Sequence, residues 1–321
     1  MQSSYIPAAE ERNDNMRTLH RIVPLKNWPR LAKPSEPITK IAVLDTETEG
    51  FDPRSDRILE FSATMIEVDA RGRIVSAMEP GTAFNDPQRP IDERIRALTG
   101  ITDEMVSGQN VSVKKVTTFL KQADAVLAFN AAFDRPHLEM LLPGIESLKW
   151  ICAMADVPWQ ALGFDGVKQG YLLMQAGMFN PVAHRARDDV ESLVNLLACE
   201  ARDGRTIMSH ALESARQPSW RLEATNAPYR FSEELKRAGY RYSFRKVRHK
   251  LVRPRDRDFE LAWYRETIDD EPSIVPVDWT QRYRADWTWT PVKRKLGPPG
   301  VTSILDLVSQ SKPLTVEDLP F

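Results

Sequence analysis

The feature that most constrains this chain is the apolar run Ile41-Ala42-Val43-Leu44, which ends directly on Asp45-Thr46-Glu47-Thr48. A short unbroken run of this kind reads as an inner strand, buried on both faces. Side chains two apart on a strand share a face, so Asp45 and Glu47 point the same way from its carboxyl end. Open α/β sheets place their ligands at that end. Two carboxylates so close repel each other unless a cation lies between them. Alone, an Asp-x-Glu is also common at ordinary surface strand ends.

The flanking text predicts an α/β domain. Strand-like stretches at Ile58–Val68 and 74–78 are separated by Gly72, which suits a hairpin turn. Val113, Val116 and Leu120 recur at helical spacing, and the apolar run 125–129 reads as a second inner strand. A helix through Leu138, Leu141 and Leu142 ends at Pro143-Gly144, and a further apolar patch lies at 150–154. Val190, Leu193, Val194 and Leu197 mark an amphipathic helix. Hairpin strands followed by alternating helices and strands indicate a mixed sheet.

Two more polar clusters sit at strand and helix ends. In Phe129-Asn130-Ala131-Ala132-Phe133-Asp134, Asn130 and Asp134 fall on one face at a helix start. They also suit a helix cap and a first-turn charge. In His184-Arg185-Ala186-Arg187-Asp188-Asp189, Asp189 lies near the first turn of the amphipathic helix and His184 on the incoming loop. Ordinary helix-start charges account for that piece when it is taken alone.

Taken in order, Asp-x-Glu, Asn-x-x-x-Asp and His-x-x-x-x-Asp resemble the DEDDh exonuclease superfamily, the family of the bacterial proofreading (epsilon) subunit and ribonuclease T. Leu98-Thr99-Gly100-Ile101-Thr102-Asp103-Glu104-Met105-Val106 resembles the family's text between the first two motifs, and the likeness covers about residues 39–203. The resemblance implies a ribonuclease H-like mixed sheet flanked by helices. It implies that Asp45, Glu47, Asp134 and Asp189 hold two Mg²⁺ or Mn²⁺ ions, which hard oxygen donors suit. His184 would be the general base, imidazole being the side chain that titrates nearest working pH. A related subclass has a Tyr four residues before the last Asp, and here that place is Arg185. Thr48, Leu98, Thr99, Asn130 and Phe133 would line the pocket for the terminal nucleotides, with Thr99 standing where a His is often found. The implied activity is 3′→5′ hydrolysis of DNA, single strands preferred, releasing nucleoside 5′-monophosphates. An RNA-trimming enzyme of the same family, a binding module without catalysis and a polymerase accessory subunit are the alternatives.

The rest of the chain reads as additions to this domain. Residues 1–38 are polar and interrupted by Pro24, Pro29, Pro34 and Pro37, and read as an N-terminal extension. Residues 39–203 carry 17 Lys/Arg against 25 Asp/Glu, while residues 204–321 carry 21 against 16. An acidic segment that holds cations beside a basic one fits a nucleic-acid partner. Residues 204–291 read as a small, basic, aromatic-rich α+β module. Asn226-Ala227-Pro228-Tyr229, Leu235-Lys236-Arg237-Ala238-Gly239-Tyr240-Arg241-Tyr242 and Ala262-Trp263-Tyr264-Arg265 resemble a module that follows the exonuclease domain in some bacterial members. Residues 241–257 hold eight Lys/Arg and one Asp, with Tyr240, Tyr242 and Phe244 at their start. Arg245, Lys246, Arg248 and Lys250 are the candidate patch for single-stranded nucleic acid; a solvated basic hairpin is the plainer reading.

Leu296-Gly297-Pro298-Pro299-Gly300 marks a linker within residues 292–321, which end in an acidic tail. Asp318, Leu319, Pro320 and Phe321 resemble the acidic tip of bacterial single-stranded-DNA-binding proteins and form a candidate docking peptide. Cys152 and Cys199 are too few for a disulfide framework, which favours a reduced, cytoplasmic setting. No apolar run approaches bilayer-crossing length and no secretory signal is read, so no membrane partner is expected.

Overall fold

A computed structural model describes residues 17–242 and 247–284. After a short β1 (His20–Arg21), the apolar run forms β2 (Thr39–Thr48), followed by β3 (Ile58–Val68), β4 (Ile74–Ala77) and β5 (Gly81–Phe84). Helices α1 (Glu93–Thr99), α2 (Asp103–Val106) and α3 (Val113–Leu120) lead to β6 (Ala125–Ala128). Then come α4 (Ala131–Leu141), β7 (Trp150–Cys152) and α5 (Ala153–Asp156). The region closes with α6 (Gln169–Gln175), β8 (Met178–Phe179), α7 (Ala186–Ala198) and α8 (Ile207–Arg216).

The main sheet runs β4-β3-β2-β6-β7, with β5 also paired to β3. β2, β6 and β7 are parallel, and β3 is antiparallel to β2. This is the mixed, helix-flanked sheet of a ribonuclease H-like domain. The inner strands are apolar on both faces because both are covered. Ile41, Val43 and Leu127 pack with Val190, Leu193, Val194 and Leu197 of α7. Ala42, Leu44, Val126 and Ala128 pack with Val116 and Leu120 of α3 and Leu138 of α4. Each fully buried Val or Leu contributes about 1.5–3 kcal/mol.

The core of this domain extends past the boundaries read from sequence. Ile22 and Leu25 belong to it, and so do Ile207, Met208, Ala211, Leu212 and Ala215 of α8. The Asn195 side chain brackets Val23, accepting its N–H and donating to its carbonyl, both at 2.9 Å. The Gly72 hairpin turn has φ 78, and a Cβ there would meet Ser209 Cα of α8 at 2.5 Å. Residues 17–38 and α8 are therefore structural parts of the first domain.

Downstream, β9 (Ser219–Glu223), α9 (Ser232–Arg237), β10 (Arg241–Tyr242), β11 (Arg248–Val252), α10 (Pro254–Ile268) and β12 (Ser273–Val277) form the expected α+β module. Its antiparallel sheet has the order β10-β11-β9-β12, over a small core of Leu222, Leu235, Tyr240, Val252, Leu261, Tyr264 and Ile268. Pro254 occupies the first turn of α10, where its fixed φ costs no hydrogen bond.

A buried polar seam joins the two units. The Trp150 N–H donates to the Trp279 carbonyl at 2.7 Å. Arg135 donates to the carbonyls of Arg282 at 2.6 Å and of Thr280 and Glu146 at 2.8 Å. Arg253 pairs with buried Asp156, and Arg282 approaches the same carboxylate at 3.6 Å. Arg245 and Lys246, and the tail residues Asp318, Leu319, Pro320 and Phe321, lie outside the described residues. Among the described residues no helix is long and apolar enough to cross a membrane.

Candidate active site

Strand alternation at the end of β2 distributes three polar side chains over two faces. Asp45 and Glu47 fall on the face covered by α7, and with Asp189 in the first turn of that helix their carboxylate oxygens lie within 4.8 Å of one another. Thr46 points the other way, toward α4, and its hydroxyl donates to Asp134 Oδ1 at 2.8 Å. Asp134 thus reaches the cluster from the second layer, with one oxygen already engaged. The structure brings Asp45, Glu47 and Asp189 together and holds Asp134 beside them through Thr46.

The electrostatics follow from this crowding. Burial pushes the Asp45 carboxyl well above the usual range, and Asp134, Asp189, Glu47 and Glu60 add to the shift. Burial, then Asp189, Glu60 and Asp134, push Glu47 up to about 8, opposed by Arg185. Asp134 and Asp189 are raised too, burial leading in both, and neighbouring His184 draws Asp189 partly back. Buried oxygen donors with so little compensating positive charge fit a hard divalent cation.

Glu60 organises the start of α7. It lies opposite Glu47 on β3 and is fully buried. Its carboxylate accepts from Arg185 Nε and Nη2, both at 3.0 Å, and from the Ala186 N–H at 3.1 Å. The Ala186 N–H is one of the helix-start donors without an intrahelical partner, and Arg185 at the N-cap supplies no side-chain cap. Glu60 therefore replaces a local cap and anchors the helix that carries Asp189. Gln169 Nε2 donates to the Asp189 carbonyl at 2.9 Å and to its Oδ1 at 3.3 Å. His184 is exposed on the incoming loop with φ 58, a left-handed conformation uncommon for a residue with a Cβ.

Sequence reasoning missed Thr46, Glu60 and Gln169. Only Thr46 left a signal there, its place between two carboxylates putting it on the opposite face. Of the expected pocket residues, Thr48 donates to the Gly50 carbonyl at 2.6 Å. Phe133 is half-buried between His137 and Phe51, with ring centroids 4.6 and 6.0 Å away. Phe51 is itself exposed on the β2–β3 turn. Arg89 braces that turn, donating to Glu49 at 2.6 and 2.7 Å and to the Ser55 carbonyl at 2.7 Å. Asn130 precedes α4 with a buried Oδ1 that lacks a hydrogen-bond partner, and Leu98 is exposed.

Two expected contacts turn out to be committed elsewhere. Thr99 is buried, and its hydroxyl donates to the Ile95 carbonyl at 2.9 Å and accepts from the Ile101 N–H at 3.1 Å, closing α1 instead of opening to a ligand. Lys250 pairs with buried Glu260 of α10, which takes it out of a free cationic patch. Arg248 stacks over the Tyr242 ring at 4.1 Å and donates to Ser232 Oγ at 3.1 Å.

Residues 42–142 match the RNase_T exonuclease family model. The DNA polymerase III subunit epsilon of Treponema pallidum is 27% identical over 179 residues, which is 52% of this chain and 80% of that protein. The PolC-type DNA polymerase III of Clostridium perfringens is 29% identical over 160 residues, 48% of this chain but only 11% of that protein. Among solved structures, Exonuclease X in complex with 5′ overhanging duplex DNA aligns over 54% of this chain and 99% of its own, at 22% identity and a TM-score of 0.39. The nuclease domain of 3′hExo bound to rAMP aligns over 52% of this chain and 98% of its own, at 18% identity and a TM-score of 0.41. The stretch similar to the RNase_T exonuclease family spans Asp45, Glu47 and Asp134, and His184 and Asp189 follow it downstream in the order that the DEDDh resemblance implies.

Proposed function

We propose that the chain is a metal-dependent 3′→5′ exonuclease that releases nucleoside 5′-monophosphates from DNA, single strands preferred. The observation that carries this reading is the approach of the Asp45, Glu47 and Asp189 carboxylates to within 4.8 Å, with Asp134 alongside. In this reading the four acids hold two Mg²⁺ or Mn²⁺ ions. Such ions, when bound, activate water and offset charge on the phosphate. The chain's own residues orient the strand and move the proton. His184 takes the proton of the attacking water at a ring nitrogen, from a loop fixed by Glu60 and Arg185. Phe133 and exposed Phe51 pack against the terminal nucleotide, with Leu98 at the rim and the unpaired Asn130 Oδ1 as an acceptor.

The downstream module adds strand contacts. Tyr242 is half exposed under the Arg248 guanidinium, and Tyr229, 86% exposed, stands beside exposed Arg230. Aromatic faces that stack bases, beside cations that neutralise phosphate, suit a single strand. The relatives named for DNA polymerase III favour DNA over RNA. Matched DNA and RNA oligonucleotides, single- and double-stranded, incubated with Mg²⁺, Mn²⁺ or EDTA test the reading. Metal-dependent loss of DNA, fastest for single strands, is the expected result. Equal or faster loss of RNA overturns the DNA assignment, and cleavage undiminished in EDTA overturns the metal assignment.

A further inference from the structure

The opposite pole of the main sheet holds an open cavity. It has a volume of about 330 Å³ and is lined by Ile38, Thr39, Asp124, Ala125, Lys149, Leu212, Arg216 and Trp279. Thr39 opens β2, Ala125 opens β6 and Lys149 immediately precedes β7, so the cavity sits at the amino ends of three parallel strands. The acidic cluster lies at the carboxyl end of β2. Thr39 and Asp45 are separated by about 20 Å at ordinary strand rise. The two sites are therefore distinct.

The lining divides into a cationic part and an apolar part. Lys149 and Arg216 are exposed, and neither forms an ion pair among the described residues. The remaining charged group, Asp124, uses Oδ2 to accept the Lys40 N–H at 2.8 Å, which leaves Oδ1 as an acceptor. Trp279 presents its indole, with Lys149 Nζ 5.2 Å from the ring centroid, and buried Leu212 and half-buried Ile38 extend the apolar wall. Trp279 is fixed there because its carbonyl accepts the Trp150 N–H at 2.7 Å. Two unpaired cations attract a compact anion. An indole beside them contacts a flat group attached to that anion, and one free carboxylate oxygen accepts from an amine or hydroxyl. The same carboxylate disfavours a polyanion.

We infer that this cavity binds a nucleoside 5′-monophosphate, with Lys149 and Arg216 on the phosphate, the base against Trp279 and Leu212, and Asp124 accepting from a ribose hydroxyl or exocyclic amine. The choice of a nucleotide rests on the proposed exonuclease reading, in which this molecule is the product. The site then senses product without occupying the reaction centre.

The test is calorimetric titration of the full chain in EDTA with adenosine 5′-monophosphate, inorganic phosphate and adenosine. Adenosine 5′-monophosphate should bind at least tenfold more tightly than phosphate or adenosine. That affinity should fall at least tenfold in Lys149→Ala and in Arg216→Ala, both exposed positions, and should be unchanged in Asp45→Asn. Hydrolysis by the two surface variants, measured separately in Mn²⁺, should match the parent, so failure of the exonuclease reading and failure of this site are read in different assays. Absence of binding in EDTA, binding insensitive to both substitutions, or phosphate binding as tightly as the nucleotide overturns the inference.

Discussion

Thr46 donates its hydroxyl hydrogen to Asp134 Oδ1 at 2.8 Å, joining the two layers that flank β2 at the point where the acidic cluster forms. Thr46→Val keeps the shape and removes the donor. Outer-shell partners of metal-ligating groups are typically worth about 10–100-fold in metal affinity or activity. Hydrolysis and Mn²⁺ affinity should both fall within that range, with thermal stability little changed. Titration of Mn²⁺ into the variant checks it, and parent-like affinity would show that Asp134 needs no such restraint.

The acids of the cluster destabilise one another in metal-free protein. Glu47 is held at about 8 in the fold against an ordinary 4.5. Its protonated form is thus favoured by folding, so its contribution is intact below the lower value and lost as pH rises through the higher one. In EDTA, Glu47→Gln should therefore lose less stability than the parent between pH 5 and pH 9. Added Mn²⁺ should stabilise the parent far more than the variant. Urea unfolding at the two pH values, with and without Mn²⁺, measures both effects. A constant gap between the two proteins across pH counts against the assignment.

Glu60 acts on the reaction through the helix start and not through substrate. Glu60→Gln weakens the pair with Arg185 while keeping an acceptor for the Ala186 N–H. The His184 loop loses its anchor, so turnover should drop about 10-fold or more while single-strand affinity stays near that of the parent. Steady-state kinetics beside a binding titration separate the two, and an unchanged turnover rate removes Glu60 from the account.

The seam between the units carries much of the stability. Arg253→Met removes the cation that pairs directly with buried Asp156, leaving Arg282 at 3.6 Å, the more distant Arg255 and the Cys152 N–H to offset it. Breaking a buried pair from one side costs about 3–5 kcal/mol. Arg253→Met combined with Asp156→Asn removes the stranded charge and keeps the acceptor for the Cys152 N–H, so it should recover most of the loss. Urea unfolding of the single and double variants decides between this coupling and independent contributions.

The parts legible in the sequence were those set by local period. The run 41–44 announced β2, and alternation put Asp45 and Glu47 on one face. The 3.6-residue stripe of Val190, Leu193, Val194 and Leu197 announced α7 and placed Asp189 at its first turn. Glu60 was illegible because its role depends on the β2–β3 register that sets it opposite Glu47. Asp156 and Arg253 meet only in the folded chain, and nothing local to either foretells the pair. The fate of Thr99 depended on where α1 ends, and that of Lys250 on α10 packing over β11. Residues 17–38 looked like an extension because their prolines break periodicity, yet Ile22 and Leu25 enter the core and Asn195 brackets Val23, which docks them.

The most direct test of the central claim uses one single-stranded DNA oligonucleotide labelled at its 5′ end in one sample and at its 3′ end in another. Both are incubated with Mn²⁺ and either the parent or Asp189→Ala. The expected result is a ladder of shortening 5′-labelled strands and immediate release of the 3′ label as a mononucleotide, both abolished by Asp189→Ala. Immediate release of the 5′ label, or an undiminished ladder with Asp189→Ala, would contradict it.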